Sequence, residues 1–199
     1  MMRKEERNNH VFINCSYSKE HDYILQGIMF SCISLGLDTY VVKMDKLDQI
    51  RITNIEKCIK ESWISIHDLT LMGKEHRYNM TLEAGMAIMH ASSVTRNRQH
   101  HVILLESTTG QVKKYCSDLD AYDPISYSAN DQESLVKRIC EAIINIIGQP
   151  ENLTPQCIFD WYLDFLLLLK SKKNISWNEQ RQLMKDFISK MEQIPQVVG

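Results

Sequence analysis

The sequence has no apolar run long enough to cross a lipid bilayer. Its longest strongly apolar stretch, WYLDFLLLL at residues 161–169, is interrupted by Asp164 and is far shorter than the roughly 20 apolar residues of a spanning helix. The opening residues, MMRKEERNNH, also carry no apolar segment of the kind found in secretory signals. We therefore expect a soluble, cytoplasmic protein that does not enter a membrane.

The sequence also lacks an excess of positive charge. Its 23 Lys and Arg residues are outnumbered by 25 Asp and Glu residues, which gives a formal net charge of −2. The basic residues are scattered along the chain, whereas proteins that wrap nucleic acids carry a basic patch or stripe. The charge therefore does not indicate a nucleic-acid partner.

Paired metal-binding and redox motifs are missing as well. The six cysteines include no C-x-x-C pair and fall mostly within apolar segments, so we expect reduced thiols in the core. None of the seven histidines stands at metal-ligand spacing from a Cys or Glu. The segment CSDLDAYDP holds three aspartates but not the order of an EF-hand loop, so these aspartates are interpreted as turn or cap residues and no metal site is predicted.

What the sequence does contain is a regular alternation of strand and helix patterns. The predicted strands are residues 10–15, 39–44, 63–69, 100–107 and a short fifth at 124–128. The predicted helices are residues 22–35, 51–62, about 79–91, 131–148, about 156–171 and 177–193. This alternation is typical of an α/β fold with a sheet whose crossovers are right-handed.

The pattern changes after the helix that ends near Gly148. Pro150 and Pro155 bracket a break, so we predict an α/β domain at residues 1–149 and a C-terminal helical appendage, a pair of helices, at 150–199. Ser176, with Glu179 three residues later, is a candidate N-cap for the last helix. The first helix of the pair is apolar on more than one face, and it either packs on the α/β domain or contacts another subunit or partner protein.

Ligands of open α/β sheets bind outside the carboxyl ends of the strands. Asp68 lies at the end of the third predicted strand and Thr70 follows it. Glu83 lies near the start of the next helix, so the two acids can converge on one crevice. Asn79 and Glu83 are four residues apart and share a helix face. The alternative interpretation is structural, because an acid near a helix start is favoured by the helix dipole and Asn79 is a suitable N-cap.

One run of sequence resembles a known superfamily. The segments IHDLT, RYNMTLEAGMAIM and HHVILL, preceded by VFINCSYSKE and RITNIEKCIKES, are similar to nucleoside 2-deoxyribosyltransferase-like and TIR-like domains over roughly residues 10–147. The most specific part is a strand ending in Asp-Leu-Thr, a polar loop, and a helix with Glu-x-Gly-x-Ala. The resemblance implies a flavodoxin-like parallel sheet of four to five strands, and a helix-borne glutamate that cleaves N-glycosidic bonds in nucleosides or in NAD.

The resemblance also implies roles for individual residues. Glu83 becomes the catalytic residue at C1′ of the ribose, with Asp68 on a sugar hydroxyl or base edge and Asn79 orienting Glu83. The substrate-binding residues it suggests are Ser16, Tyr17, Ser18, Thr70 and Arg77. Arg77 in a phosphate-binding role favours a nucleotide such as NAD over a bare nucleoside. The sequence departs from the family in its third loop, LMGKEHRYNM, where deoxyribosyltransferases often carry an Asn-Pro and a further aspartate pair.

The resulting hypothesis is an NAD glycohydrolase, or another N-ribosyl hydrolase or transferase, of the bacterial anti-phage effector type. NAD is then a substrate, and no cofactor is predicted. Two alternatives stay open: a nucleoside 2-deoxyribosyltransferase, and a catalytically silent nucleotide-sensing or assembly module. The resemblance also implies a homo-oligomer, or a defence-system protein partner bound through the C-terminal helices.

Overall fold

Strands and helices alternate along the chain, as the sequence predicts. The structure is a computed structural model that describes residues 9–16, 18–41, 50–70, 78–94, 99–172 and 174–193. Within these ranges the strands are β1 (His10–Asn14), β2 (Asp38–Tyr40), β3 (Ile64–Asp68), β4 (His101–Glu106) and β5 (Ile125–Ser126). The α-helices are α1 (Asp22–Ser34), α2 (Arg51–Glu61), α3 (Tyr78–Ser93), α4 (Gln111–Tyr115), α5 (Gln132–Ile147), α6 (Pro155–Lys170) and α7 (Trp177–Met191).

The five strands form one parallel sheet in the order β2-β1-β3-β4-β5. This is the flavodoxin-like order, so the predicted fold class is confirmed. The direction of winding reverses between β1 and β3, where Asn14 lies beside His67. In such sheets the reversal opens a crevice at the carboxyl ends of the two strands, which is where ligands bind.

Two layers of helices cover the sheet. Val11 and Ile13 of β1, and Cys15 just after it, face the main hydrophobic cluster, to which α1, α5, α6 and α7 also contribute. Phe12 points the other way, into a smaller cluster with residues of α2 and α3. Because successive strand residues alternate between faces, the ends of β1 and β3 present polar side chains to both layers.

The C-terminal helices share the main cluster with the rest of the chain. Phe30 of α1 packs against Tyr162, Phe165 and Phe187, with ring centroids 5.2, 5.4 and 6.3 Å away. Of the two arrangements that the sequence left open, α6 therefore packs on the α/β layer, although Leu163, Leu167 and Leu168 remain exposed. The predicted capping box at Ser176 and Glu179 is present at the start of α7.

The five-residue helix α4 was not predicted, since it is too short to show a periodic apolar pattern. Four of the six cysteines are buried and all six are free thiols, in agreement with the prediction. In the described ranges, no helix combines the length and apolar character needed to span a membrane.

Candidate functional site

The carboxyl ends of β1 and β3 meet the first turn of α3. The side-chain amide of Asn14, the last residue of β1, donates a hydrogen bond to the backbone carbonyl of Met80 at 3.3 Å. The same nitrogen lies 3.0 Å from Nδ1 of His67 on β3. One buried amide thus joins two strands to the start of α3, and we call the surrounding strand ends and helix start the candidate site.

His67 is a neutral, fully buried ring beneath this site. Burial, with a smaller contribution from His100, lowers the pKa of His67 to about 3. Because the Asn14 amide nitrogen can only donate, Nδ1 of His67 accepts and the proton lies on Nε2. Nε2 has no hydrogen-bond partner among the described residues, and the ring stands edge-on to Phe12. His67 thus packs beneath the site and accepts a hydrogen bond from Asn14.

Glu83 lies in the second turn of α3, one turn beyond Met80. Its side chain is 5% exposed, and Oε1 is 3.2 Å from Nη2 of Arg51, the first residue of α2. Burial raises the pKa of Glu83, while the Arg51 charge and a hydrogen bond from the Asn79 side chain act in the opposite direction. The carboxylate is thus a largely desolvated acid whose charge is balanced by one cation.

Asn79 contacts Glu83 as the four-residue spacing predicts. The helix α3 begins at Tyr78, so Asn79 lies within the first turn and the interpretation of this residue as an N-cap is wrong. Its side chain is exposed, its amide nitrogen lies 3.8 Å from the sulfur of Met80, and its influence lowers the pKa of Glu83. The orienting role of Asn79 stays a prediction.

Asp68 ends β3 and is buried on the other side of the sheet. Its Oδ1 accepts hydrogen bonds from the Thr70 hydroxyl at 2.6 Å, the Thr70 backbone N–H at 3.2 Å and the Tyr127 hydroxyl at 3.2 Å. Burial raises the pKa of Asp68, and the hydrogen bonds from Thr70 and Tyr127 partly offset that effect. Since Tyr127 belongs to the main cluster, Asp68 and Glu83 approach the strand ends from opposite faces of the sheet.

The loop after β1 lies on the same side as Asp68. Ser16 is buried, its hydroxyl is 3.3 Å from that of Ser18, and the Ser18 hydroxyl is 2.8 Å from Nδ1 of His21. The charge of His21 in turn lowers the pKa of Asp68. Ser16, Ser18, Thr70 and Asp68 are therefore brought to one region. Two other predicted substrate-binding residues, Tyr17 and Arg77, lie outside the described residues.

The sequence interpretation missed Arg51, Tyr127 and His21. Tyr127 follows the fifth strand, so extending the search for polar residues to the loop after that strand would have found it. Arg51 carries no local signal, because its partner Glu83 lies 32 residues away and the contact depends on how α2 packs beside α3. Burial raises the pKa of Tyr127, which therefore stays protonated and donates to Asp68.

A third acid at a strand end accepts structural hydrogen bonds on both of its carboxylate oxygens. Glu106 ends β4, where Oε1 accepts from the Gly110 N–H at 2.8 Å and the Ser126 hydroxyl at 3.0 Å, and Oε2 accepts from the Val112 N–H at 2.8 Å. These bonds fix the start of α4. Across the part of the chain that the structure describes, no group of three or more His, Cys, Asp or Glu side chains is placed to hold a metal ion.

Neither a scan against protein-family models nor a search of the curated proteins found a match to this chain.

Proposed function

We propose that the chain cleaves the N-glycosidic bond of NAD or a related nucleotide, as an N-ribosyl hydrolase or transferase. The observation that carries this proposal is Glu83, a carboxylate only 5% exposed on the helix that Asn14 attaches to the ligand-binding edge of the sheet. An acid buried at such an edge, with a raised pKa, is typical of a catalytic group.

The chemistry needs one anionic group beneath the sugar. As the C1′–N bond breaks, its electron pair leaves with the nicotinamide, which departs as a neutral base and needs no proton. Positive charge develops on C1′ and the ring oxygen, and Glu83 stabilises it electrostatically or attacks C1′ to form a glycosyl ester. Water then adds its hydroxide to C1′ and releases a proton, or another nucleophile accepts the ribosyl group.

The other residues of the candidate site bind and orient the substrate in this proposal. Asn79 holds the Glu83 carboxylate in place. Every described hydrogen bond to Asp68 goes to Oδ1, so Oδ2 is the atom assigned to a ribose hydroxyl. Thr70, Ser16 and Ser18 supply further hydroxyls, and Tyr17 and Arg77 keep the substrate-binding roles predicted from the sequence. NAD is a substrate here, and no cofactor is proposed.

We also propose a cytoplasmic setting, a role as an effector in bacterial anti-phage defence, and a homo-oligomer or defence-system protein partner. The six free cysteines support the setting, and the sequence resemblance described above supports the role. The exposed leucines of α6, among them Leu167 at 63% exposure, support a partner bound through the C-terminal helices. Sedimentation of the purified protein measures whether it forms a homo-oligomer.

The test of the reaction is release of nicotinamide from NAD, measured by chromatography. We expect the wild-type protein to release nicotinamide and Glu83→Gln to lose about 100-fold or more of that rate, the usual loss when a transition-state charge is left unstabilised. Glu61→Gln, which changes an exposed acid on α2, serves as the matched control and should keep the wild-type rate. Undiminished release by Glu83→Gln would contradict the proposal.

The ion pair between Arg51 and Glu83 favours a second candidate, a nucleotide-binding module without turnover. An acid already paired with a cation is stable without a substrate, as a purely structural or sensing site requires. This candidate predicts that ADP-ribose binds equally well to wild type and to Glu83→Gln while no nicotinamide appears. Base exchange between two deoxynucleosides, assayed in parallel, identifies the deoxyribosyltransferase alternative.

A further inference from the structure

The ion pair between Arg51 and Glu83 is strongly asymmetric. The Glu83 side chain is 5% exposed, whereas the Arg51 side chain is 58% exposed. The contact joins Nη2 to Oε1 at 3.2 Å, so it uses one of the five N–H donors of the guanidinium group. The acid is fixed in the protein, while most of the cation that balances it faces solvent.

Arg51 differs in this respect from the other cations of α2. Lys57 and Lys60 pair with Glu61 and Glu56, acids of the same helix four residues away. Arg51 instead reaches across to α3. It is also the first residue of α2, and helices of a parallel α/β sheet begin at the edge where the strands end, which is the ligand-binding edge. Arg51 is therefore a cation at the rim of the candidate site.

We propose that Arg51 binds a phosphate of the substrate and that the phosphate displaces Glu83 from the guanidinium group. This inference rests on the proposed function and names its substrate class, which is a nucleotide with a phosphate or diphosphate on the reacting ribose rather than a nucleoside. A phosphate offers several acceptor oxygens and binds arginine in a bidentate manner. Because the Arg51 side chain is 58% exposed, its guanidinium group is accessible to a phosphate.

The exchange links substrate binding to the state of the catalytic acid. Without substrate, Arg51 offsets part of the cost of burying the Glu83 charge. Once a phosphate has taken the guanidinium group, the carboxylate has lost its counter-ion and faces the ribose, on which positive charge develops as the bond breaks. Glu83 is thus freed only when a phosphorylated substrate occupies the site, and an unphosphorylated nucleoside leaves the ion pair intact.

Binding of two ligands that lack the nicotinamide leaving group tests the inference without an assay of nicotinamide release. ADP-ribose carries a diphosphate and adenosine carries none, and calorimetry measures the dissociation constant of each. We expect Arg51→Ala to weaken ADP-ribose binding by about 10-fold or more, the loss of a charge-assisted hydrogen bond, and to change adenosine binding by less than twofold. Arg51→Lys should give an intermediate loss, and Lys57→Ala, the matched control on the same helix, should change neither.

A double-mutant cycle distinguishes competition between Glu83 and the phosphate for Arg51 from simple repulsion of the phosphate by Glu83. If Glu83 competes with phosphate for Arg51, Glu83→Gln should tighten ADP-ribose binding several-fold in the presence of Arg51 and leave it unchanged in the Arg51→Ala background. If the tightening persists without Arg51, Glu83 merely repels the phosphate and the inference is overturned. Equal losses for both ligands, no loss for ADP-ribose, or no ADP-ribose binding by wild type would also overturn it.

The phosphate-binding role of Arg51 and the catalytic role of Glu83 can fail independently, and the experiments show which of them fails. If Glu83→Gln abolishes nicotinamide release while ADP-ribose binding is insensitive to Arg51, the proposed function stands and only the phosphate role fails. If Glu83→Gln still releases nicotinamide, the proposed function fails whatever the binding data show. Circular dichroism of each variant, compared with wild type, confirms that a loss of binding is not a loss of fold.

Discussion

At the scale of single residues, three buried acids of the same chemical type have three different environments. Glu106 accepts three hydrogen bonds that hold a helix start, and Asp68 accepts three on one oxygen. Glu83 is balanced by a single cation from a neighbouring helix. Only in the last arrangement can a ligand displace the single partner of the acid, which is why we propose Glu83 as the catalytic residue.

The pH dependence of stability should reveal the cost of burying Glu83. Its pKa in the folded protein is raised above the ordinary value of 4.5, so the folded state binds the proton more tightly than the unfolded state. The contribution of Glu83 to stability is therefore most favourable below the unfolded pKa and becomes less favourable as the pH rises through the folded pKa. Glutamine does not titrate, so Glu83→Gln should gain in Tm relative to wild type as the pH increases from acid to neutral.

Thermal unfolding between pH 4 and pH 8, followed by circular dichroism, measures this difference. Glu61→Gln, which changes an exposed acid of α2, is measured alongside as the control for the loss of one carboxylate. A Tm difference between Glu83→Gln and wild type that is constant over the range would mean that burial does not penalise the charge. A difference that shrinks towards neutral pH would mean that Arg51 overcompensates for burial.

How far the site could be predicted depends on the range of the contacts. The contact between Asn79 and Glu83 follows from the helix repeat, which is local. The Arg51 contact with Glu83, and the Tyr127 contact with Asp68, join residues 32 and 59 positions apart. The apolar periodicity of the sequence does not predict such contacts, because they arise only when α2 packs beside α3 and β5 pairs with β4.

At the scale of elements, strands and long helices were predictable because their residue patterns repeat locally. The exception is α4, five residues that follow the N-cap Gly110, whose φ of 80° favours glycine. The Glu106 carboxylate holds the backbone N–H groups of Gly110 and Val112 at the start of α4. Its stability comes from a side chain of the preceding strand rather than from its own composition. Short elements of this kind are invisible to a search for apolar periods.

The attachment of α3 to β1 through Asn14 should affect both the stability of the protein and the rate of the reaction. Asn14→Ala removes the amide that donates to Met80 and lies beside His67, leaving buried polar groups without a partner. We expect a loss of about 1–3 kcal/mol in the free energy of unfolding, measured with urea. Because the start of α3 would no longer be fixed, kcat for nicotinamide release should fall more than KM rises.

The control for this prediction is Asn145→Ala, an exposed position on α5. It should change the free energy of unfolding by no more than about 0.5 kcal/mol and leave kcat unaltered. If Asn14→Ala lost stability but kept its kcat, Asn14 would be a structural residue only. That result would mean that the hydrogen bond from Asn14 to the start of α3 is not needed to position Glu83.

At the scale of the whole molecule, the sequence pattern indicated that α6 is apolar on more than one face but not what covers each face. Amphipathicity identifies which residues are buried, and the partner depends on the final assembly of the chain. In the structure, one covering surface is α1, through Phe30, and the residues before and after position 150 contribute to a single hydrophobic cluster. The proline-bracketed break is therefore a change of element type within a shared core.

That shared core predicts how the whole chain unfolds. Phe165 of α6 is fully buried between Phe30 and Phe187, at 5.4 and 5.8 Å between ring centroids. Phe165→Ala should lower the free energy of unfolding by about 3–5 kcal/mol, in one transition that includes the sheet. Leu167→Ala, two residues away but 63% exposed, should change it by no more than about 0.5 kcal/mol. Two separate urea transitions, with only the smaller one shifted by Phe165→Ala, would instead show that residues 150–199 fold independently, since a shared core requires both segments to lose structure together.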